Sequence, residues 1–147
     1  MGDAAHAIVP FYGQGMNASL EDVRIFDETV EAHEGDWEKI FKLFQDKRVH
    51  NTDAIADLAV DNFYEMQDKV QDEIFIRKRK IEMQLEQTYT DYYSKYSLVT
   101  FQENLPYEEA MLRGRKQDEF LLEICSKPNW ESIPLETIYK QIKAIQV

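Results

Sequence analysis

The chain has 147 residues, 44% of them hydrophobic and 31% charged, which is long enough for a real core and too apolar for a disordered segment. Its net charge of −11 excludes nucleic acid and anionic membrane as main partners, since both demand a basic surface. The lone cysteine, Cys125, excludes an intrachain disulfide, and no apolar run approaches the ~18 residues of a membrane span.

The most informative stretch comes first. Gly2-Asp3-Ala4-Ala5-His6 leads through Val9-Pro10-Phe11-Tyr12 to Gly13-Gln14-Gly15-Met16-Asn17, where a helical pattern begins. Glycines just before a helix let the backbone approach a ligand closely. The helix start presents unpaired N–H groups and partial positive charge, which suits an anion or an electron-rich carbonyl. Asp3 is placed to accept from a sugar or polyol hydroxyl, although an Asx-turn or helix cap is the commoner use of such a residue. His6 has no acidic or histidine partner at ligand spacing, so a structural role is expected and a metal site is not.

From Met16 to about Glu34, Leu20, Val23, Phe26 and Val30 recur at helical spacing. Glu21, Asp22, Asp27 and Glu28 supply a wet face, with Asn17 or Ser19 as cap and Gly35 as terminator. Asp36 caps a second helix, in which Trp37, Ile40, Phe41 and Phe44 form a stripe. A break is expected near His50-Asn51-Thr52. A third helix then carries Ile55, Leu58, Ala59, Asn62, Phe63, Met66 and Val70 on one face.

Asn62 is anomalous in that stripe. An amide buried without partners costs about 1–3 kcal/mol, so it bonds neighbouring backbone or faces a polar ligand. Met66, one turn on, offers a flexible thioether to an aromatic ring. A fourth helix holds Ile74, Phe75, Ile81 and Leu85. The run Arg77-Lys78-Arg79-Lys80, set among acids, reads as its solvated face. Thr88–Tyr93 reads as a turn, and a short strand is expected near 96–101 from the propensities of Ser97-Leu98-Val99-Thr100-Phe101. Pro106 opens another helix, with Tyr107, Ala110, Met111, Gly114, Leu121, Leu122 and Cys125 inward and Gly114 admitting a close neighbour. Cys125 reads as a small buried hydrophobe. The tail from Pro128 ends in a helix beginning near Pro134, with Leu135, Ile138, Tyr139, Ile142 and Ile145 inward.

Three blocks carry a resemblance. Gly2-Asp3-Ala4-Ala5-His6 with Pro10 and Gly13-Gln14-Gly15-Met16-Asn17 is similar to the second FAD-binding motif of the flavoprotein aromatic hydroxylases. The fuller string Val9–Ala18, then Asn62-Phe63-Tyr64-Glu65-Met66 and Lys95–Phe101, resembles their kynurenine-hydroxylating branch, over roughly Gly2 to Cys125. The resemblance implies the C-terminal part of an enzyme in which NADPH reduces FAD and oxygen is inserted into the ring of L-kynurenine. It implies cofactor contacts at Gly2, Asp3 (toward the ribityl chain), Pro10, Gly13, Gly15, Met16 and Asn17. It implies substrate contacts at Pro10, Phe11, Tyr12, Asn62, Met66, Tyr96 and Thr100, with Tyr96 toward the substrate carboxylate. No residue is assigned a catalytic role, because the flavin carries the chemistry.

The expected fold is mainly α, with five to six helices and little strand. By resemblance it is the C-terminal part of an α/β FAD-dependent monooxygenase of the p-hydroxybenzoate hydroxylase type. The expected organisation is a Gly-Asp motif and its helix in 1–35, a helical substrate-side region in 36–127 and a tail in 128–147. The N-terminal Gly-rich fingerprint for the ADP end of FAD is absent, so the chain alone is expected to be inactive and to need that part as partner. The chain lacks a hydrophobic C-terminal tail and so resembles the soluble bacterial kind, with a cytoplasmic location expected. Two alternatives stand beside this: within the resembling class, a flavin aromatic hydroxylase with another substrate, and outside it a non-enzymatic acidic helical interaction module, which periodicity taken by itself favours.

Overall fold

The computed structural model describes residues 1–68, 71–102 and 104–145. Val70, expected at the end of one apolar stripe, lies outside the described residues, as do the last two positions of the tail. Among the described residues there are seven α-helices, one 3-10 turn and no strand: α1 (Asp3–His6), α2 (Gly15–Ala32), α3 (Trp37–Asp68), α4 (Glu73–Thr88), α5 (Lys95–Phe101), α6 (Tyr107–Ser126), the turn Trp130–Ser132 and α7 (Leu135–Ile145). No helix among them is long and apolar enough to cross a membrane. The chain forms two compact units, Met1–Tyr64 and Glu65–Val147, and the boundary falls within α3.

In the first unit, α2 stops where Gly35 takes a φ of +86°, a conformation that suits glycine. The Asp36 carboxylate then accepts from the Lys39 amide at 3.1 Å and opens α3, as expected. The cap expected from Asn17 or Ser19 is not made. Helix α2 begins earlier, at Gly15, and the Ser19 hydroxyl donates back to the Gly15 carbonyl at 2.9 Å.

The break expected at 50–52 is also absent, since α3 runs unbroken through it. The polar side chains there turn back into the helix instead of capping a new one. Thr52 Oγ1 donates to Arg48 O at 3.0 Å, and Asn51 Nδ2 donates to Lys47 O at 2.9 Å. Ile40, Ala54, Ile55, Leu58 and Ala59 are fully buried or nearly so. Phe26 meets Phe44 edge-on at 5.3 Å.

The face of α2 differs most from expectation. Ala18, Asp22 and Thr29 are its buried residues, whereas Met16, Leu20 and Val23 are 71, 62 and 55% exposed. Asp22, expected in water, is 1% exposed. The N-terminal half of the apolar stripe of α2 is therefore an outer surface of this chain, whereas Phe26 and Val30 are half-buried, and a charged residue lies on the inner face.

In the second unit, α6 packs against α4, α5, α7 and the 3-10 turn, and α7 packs on α4. Ile81, Leu85, Tyr92, Leu121, Ile124, Cys125, Ile138 and Ile142 form one buried cluster. The Asp72 carboxylate caps α4, accepting from the amides of Ile74 and Phe75 at 2.7 and 3.0 Å.

The strand expected near 96–101 is helix α5. Its β-branched residues express a weak, context-dependent preference, which local partners override. Glu86 accepts from the Ser94 amide at 3.1 Å and the Ser97 hydroxyl at 2.7 Å at the helix start, and Leu98 is buried. A carboxylate at that end also complements the helix dipole.

The basic run departs from expectation at Lys78 alone, since Arg79 and Lys80 are exposed. Lys78 is 2% exposed because carboxylates on α4 and α6 draw it inward.

Candidate functional site

The Gly2–Asn17 segment is held from behind by one carboxylate. Gly2 has a φ of +58°, which L side chains rarely adopt, and a Cβ there would stand 3.3 Å from Ser19 Oγ. Its amide donates to Asp22 Oδ2 at 2.8 Å, and His6 Nε2 reaches the same oxygen at 2.6 Å. On the other oxygen, Arg48 Nε donates to Asp22 Oδ1 at 2.7 Å. Arg48 also reaches Glu21 at 2.6 Å and the Ala18 carbonyl at 3.2 Å. Burial pushes the Asp22 carboxyl up, but the Gly2 amide, His6 and Arg48 together hold it below the usual aspartate value. His6 is thus structural, and its partner is Asp22.

Ahead of this anchor the segment is open. Asp3 is exposed as the first residue of α1. Gly13 has a φ of +74° with nothing within 4 Å of where a Cβ would be, and at Gly15 the nearest atom would be Ile8 Cβ at 3.9 Å. The first backbone bond of α2 runs from Ala18 N to Gln14 O at 3.0 Å, so the amides of Gly15, Met16 and Asn17 precede the helical ladder. Asn17 Nδ2 donates to Gln14 Oε1 at 2.6 Å and stiffens that start.

Pro10 and Phe11 are exposed, and Tyr12 is half-buried. Asn62 Nδ2 donates to the Phe11 carbonyl, and the Phe11 and Phe63 rings lie 4.6 Å apart. The structure therefore brings Asn62 to the Pro10–Tyr12 loop. Its amide nitrogen is used on backbone there, while its side-chain oxygen takes no part in that bond.

The remaining expected residues belong to the second unit. Met66 is 60% exposed on α3, Tyr96 is half-buried and Thr100 is exposed. Helix α5 puts Tyr96 and Thr100 one turn apart, and the Thr100 hydroxyl donates to the Tyr96 carbonyl at 3.0 Å. Lys95 Nζ stands 4.9 Å from the centre of the Tyr96 ring and bonds Asp118 at 2.8 Å and Glu65. Burial works against the charge on Lys95, but Asp118 and Glu65 hold its pKa above the ordinary lysine value. An open cleft of about 330 Å³ in this unit includes Asp91, Arg113 and Lys143. None of the expected site residues lines it. Its two cations are paired, Lys143 with Asp91 at 2.9 Å and Arg113 with Glu109.

The sequence reading missed Asp22, Arg48, Lys95, Glu65 and Asp118. One signal for Asp22 was available: with Ala18 and Thr29 it forms a face of small and polar residues at spacings of four and seven, opposite Met16, Leu20 and Val23. For Lys95 the signal was Gly114, where a Cβ would lie 2.6 Å from Lys95 Cγ and 2.9 Å from its Cα.

No family model matches the chain. Among curated proteins it is similar to the kynurenine 3-monooxygenases of several organisms. It is 45% identical to that of Flavobacterium johnsoniae over 134 residues, 90% of this chain and 30% of that protein. It is 43% identical to that of Cytophaga hutchinsonii over 145 residues, 97% and 32%, and 37% identical to that of Legionella pneumophila strain Corby over 139 residues, 90% and 31%. The chain thus spans a little under a third of the length of these relatives.

Proposed function

We propose, from its similarity over nearly its whole length to kynurenine 3-monooxygenases, that this chain is the C-terminal part of an FAD- and NADPH-dependent aromatic hydroxylase converting L-kynurenine to 3-hydroxykynurenine in the cytoplasm. The observation that carries the proposal is the identity of 37–45% across at least 90% of the chain in the relatives from Legionella, Cytophaga and Flavobacterium.

The residues present suit FAD. Gly13 leaves open space, and at Gly15 a Cβ would only touch Ile8 at 3.9 Å. The amides of Gly15, Met16 and Asn17 point out of a helix start, where they favour negative charge on the pyrimidine edge of a reduced flavin. Asp3 is exposed and free of the Asp22 anchor, and accepts from ribityl hydroxyls on this reading. When bound, FAD supplies the redox and oxygen chemistry. The residues of this chain orient and shield. Pro10 and Phe11 border flavin and substrate. In the first unit, Tyr12 and Asn62 are read as substrate contacts on the resemblance of their own segments. In the second unit, taken by itself, Met66, Tyr96 and Thr100 are read in the same way, with Tyr96 toward the substrate carboxylate. Asn62 also fixes the loop by its bond to the Phe11 carbonyl. The exposed Met16, Leu20 and Val23 support the reading that this chain is one part of a larger fold.

On this reading the chain alone neither retains FAD nor turns over, because its sequence carries no Gly-rich fingerprint for the ADP end of the cofactor. The test has two arms. A flavin spectrum co-purifying with the 147-residue chain overturns the claim of dependence on an N-terminal part. For the complete enzyme, NADPH oxidation coupled to product is measured on L-kynurenine and on 4-hydroxybenzoate. Turnover of the second alone overturns the kynurenine assignment and leaves the flavin hydroxylase class standing.

A further inference from the structure

The second unit buries charge that its mass of apolar residues does not require. Lys78, Glu82 and Lys95 are 2, 3 and 4% exposed, and Glu65 and Asp118 are each 8% exposed. They join in a line of alternating sign. Lys95 Nζ bridges Glu65 and Asp118 Oδ2, the latter at 2.8 Å. The second oxygen of Asp118 takes Lys78 Nζ at 2.6 Å, Lys78 continues to Glu82 at 3.4 Å, and Glu82 ends on the half-exposed Arg79 at 2.9 Å. Such a line is a weak source of stability, because apolar residues of the same shape would do as well. Its distinctive property is geometric, since each charge must meet its particular partner or stand desolvated and unpaired.

Lys95 is the member through which this line reaches α5. A seven-residue helix cannot hold itself in water. Helix α5 is pinned at its first residue, where the Lys95 backbone lies so close to α6 that only glycine fits at 114. Tyr96 follows directly, with the Lys95 ammonium 4.9 Å from its ring centre. At the other end of the same ion pair, Glu65 directly precedes Met66. One ammonium therefore ties the segment carrying Met66 to the segment carrying Tyr96.

We infer that Lys95 is a positioning residue, whose ammonium, clamped between Glu65 and Asp118, sets the placement of Tyr96 against Met66 and through it the fit of the aromatic substrate. The inference rests on the proposed reading of Tyr96 as a substrate contact. It does not make Lys95 itself a substrate contact.

The first test uses the chain as it is, with hydrogen exchange read by mass spectrometry. Lys95→Met should speed exchange over 95–101 at least tenfold while α7 keeps its protection, and Lys95→Arg should restore most of the protection. Unchanged exchange over 95–101 in Lys95→Met overturns the inference. Should Lys95→Met lose protection throughout, Glu65→Gln replaces it in every arm, because it removes one link and leaves Lys95 on Asp118.

The second test uses the complete enzyme. Lys95→Met should raise KM for L-kynurenine at least fivefold with kcat within about twofold, and should add no further loss in a Tyr96→Phe background. Additive losses in the double variant overturn the inference. An unchanged KM in Tyr96→Phe alone overturns the substrate reading of Tyr96, and the exchange data tell that failure apart from a failure of Lys95 to order α5.

Discussion

Asp22 gives the sharpest quantitative expectation. Its two oxygens accept from the Gly2 amide, meet His6 and receive Arg48 at 2.6–2.8 Å, and both Asp22 and Arg48 are buried, at 1 and 4% exposure. Asp22→Ala removes one partner of a buried pair, a class of change that costs about 3–5 kcal/mol. Arg48 keeps Glu21 and the Ala18 carbonyl, so the lower end applies, about 3 kcal/mol. With a urea slope of roughly 1.5 kcal/mol per molar, the unfolding midpoint should fall by about 2 M. The assay is urea unfolding of the full chain in a Trp130→Phe background, so that Trp37 in the first unit supplies the signal.

The pH dependence adds a second check on Asp22. The folded carboxyl lies below its ordinary value despite burial, so its stabilisation is complete above the unfolded aspartate range. That stabilisation is lost as pH falls through the folded value. The gap between wild type and Asp22→Ala should therefore be full near pH 7 and close in acid. A midpoint shift under about 0.3 M at pH 7, or a gap that widens in acid, refutes the account of Asp22 as anchor.

Two further expectations concern the second unit. Gly114→Ala should destabilise even though alanine is the better helix former by ~1 kcal/mol, because the new methyl would lie 2.9 Å from Lys95 Cα, which cannot swing away. A thermal melt should show Tm lowered by roughly 3 °C or more, and an unchanged or raised Tm refutes the close approach. Cys125 is fully buried, and burial pushes its thiol up to about 11. A disulfide reagent at pH 8 should therefore label it only as the chain unfolds, with urea accelerating the reaction at least a hundredfold. Immediate stoichiometric labelling of the native chain refutes its place in the core.

What was legible in the sequence was whatever short-range pattern controls. The helices around Ile55–Met66, Ile74–Leu85 and Leu135–Ile145 follow from apolar spacing, and Gly114 was readable as a point of close approach because a glycine inside a helical pattern needs a reason. Of the motif glycines, Gly2 and Gly13 take positive φ, where a side chain would strain the backbone, and Gly15 does not.

What was not legible depends on partners far along the chain. Residues 96–101 carry strand propensity, but Glu86 and Asp118 lie on other helices and decide for α5. Asp22 and Lys78 look like surface charges until Arg48 and Asp118 are brought to them from 26 and 40 residues away. Leu20 and Val23 look like core because their spacing is helical, and spacing says which residues share a face without saying what covers it. The same holds for the candidate site. Its residues could be named from local motifs, whereas the groups that hold them in place could not.

The tail helix has a practical meaning for anyone cutting this chain. The three motif blocks all lie before Cys125, which invites a truncation there, although the alignment to the Cytophaga hutchinsonii relative covers 97% of the chain. Yet Ile138 and Ile142 of α7 belong to the same buried cluster as Ile81, Leu85, Leu121 and Cys125. The Tyr139 ring stacks on Tyr89 at 3.8 Å, and its hydroxyl donates to Asp91 at 2.7 Å. A chain ending at Ser126 would keep every residue proposed to touch flavin or substrate and still lose one wall of its interior. The shortest piece able to fold is therefore longer than the shortest piece that carries the recognisable motifs.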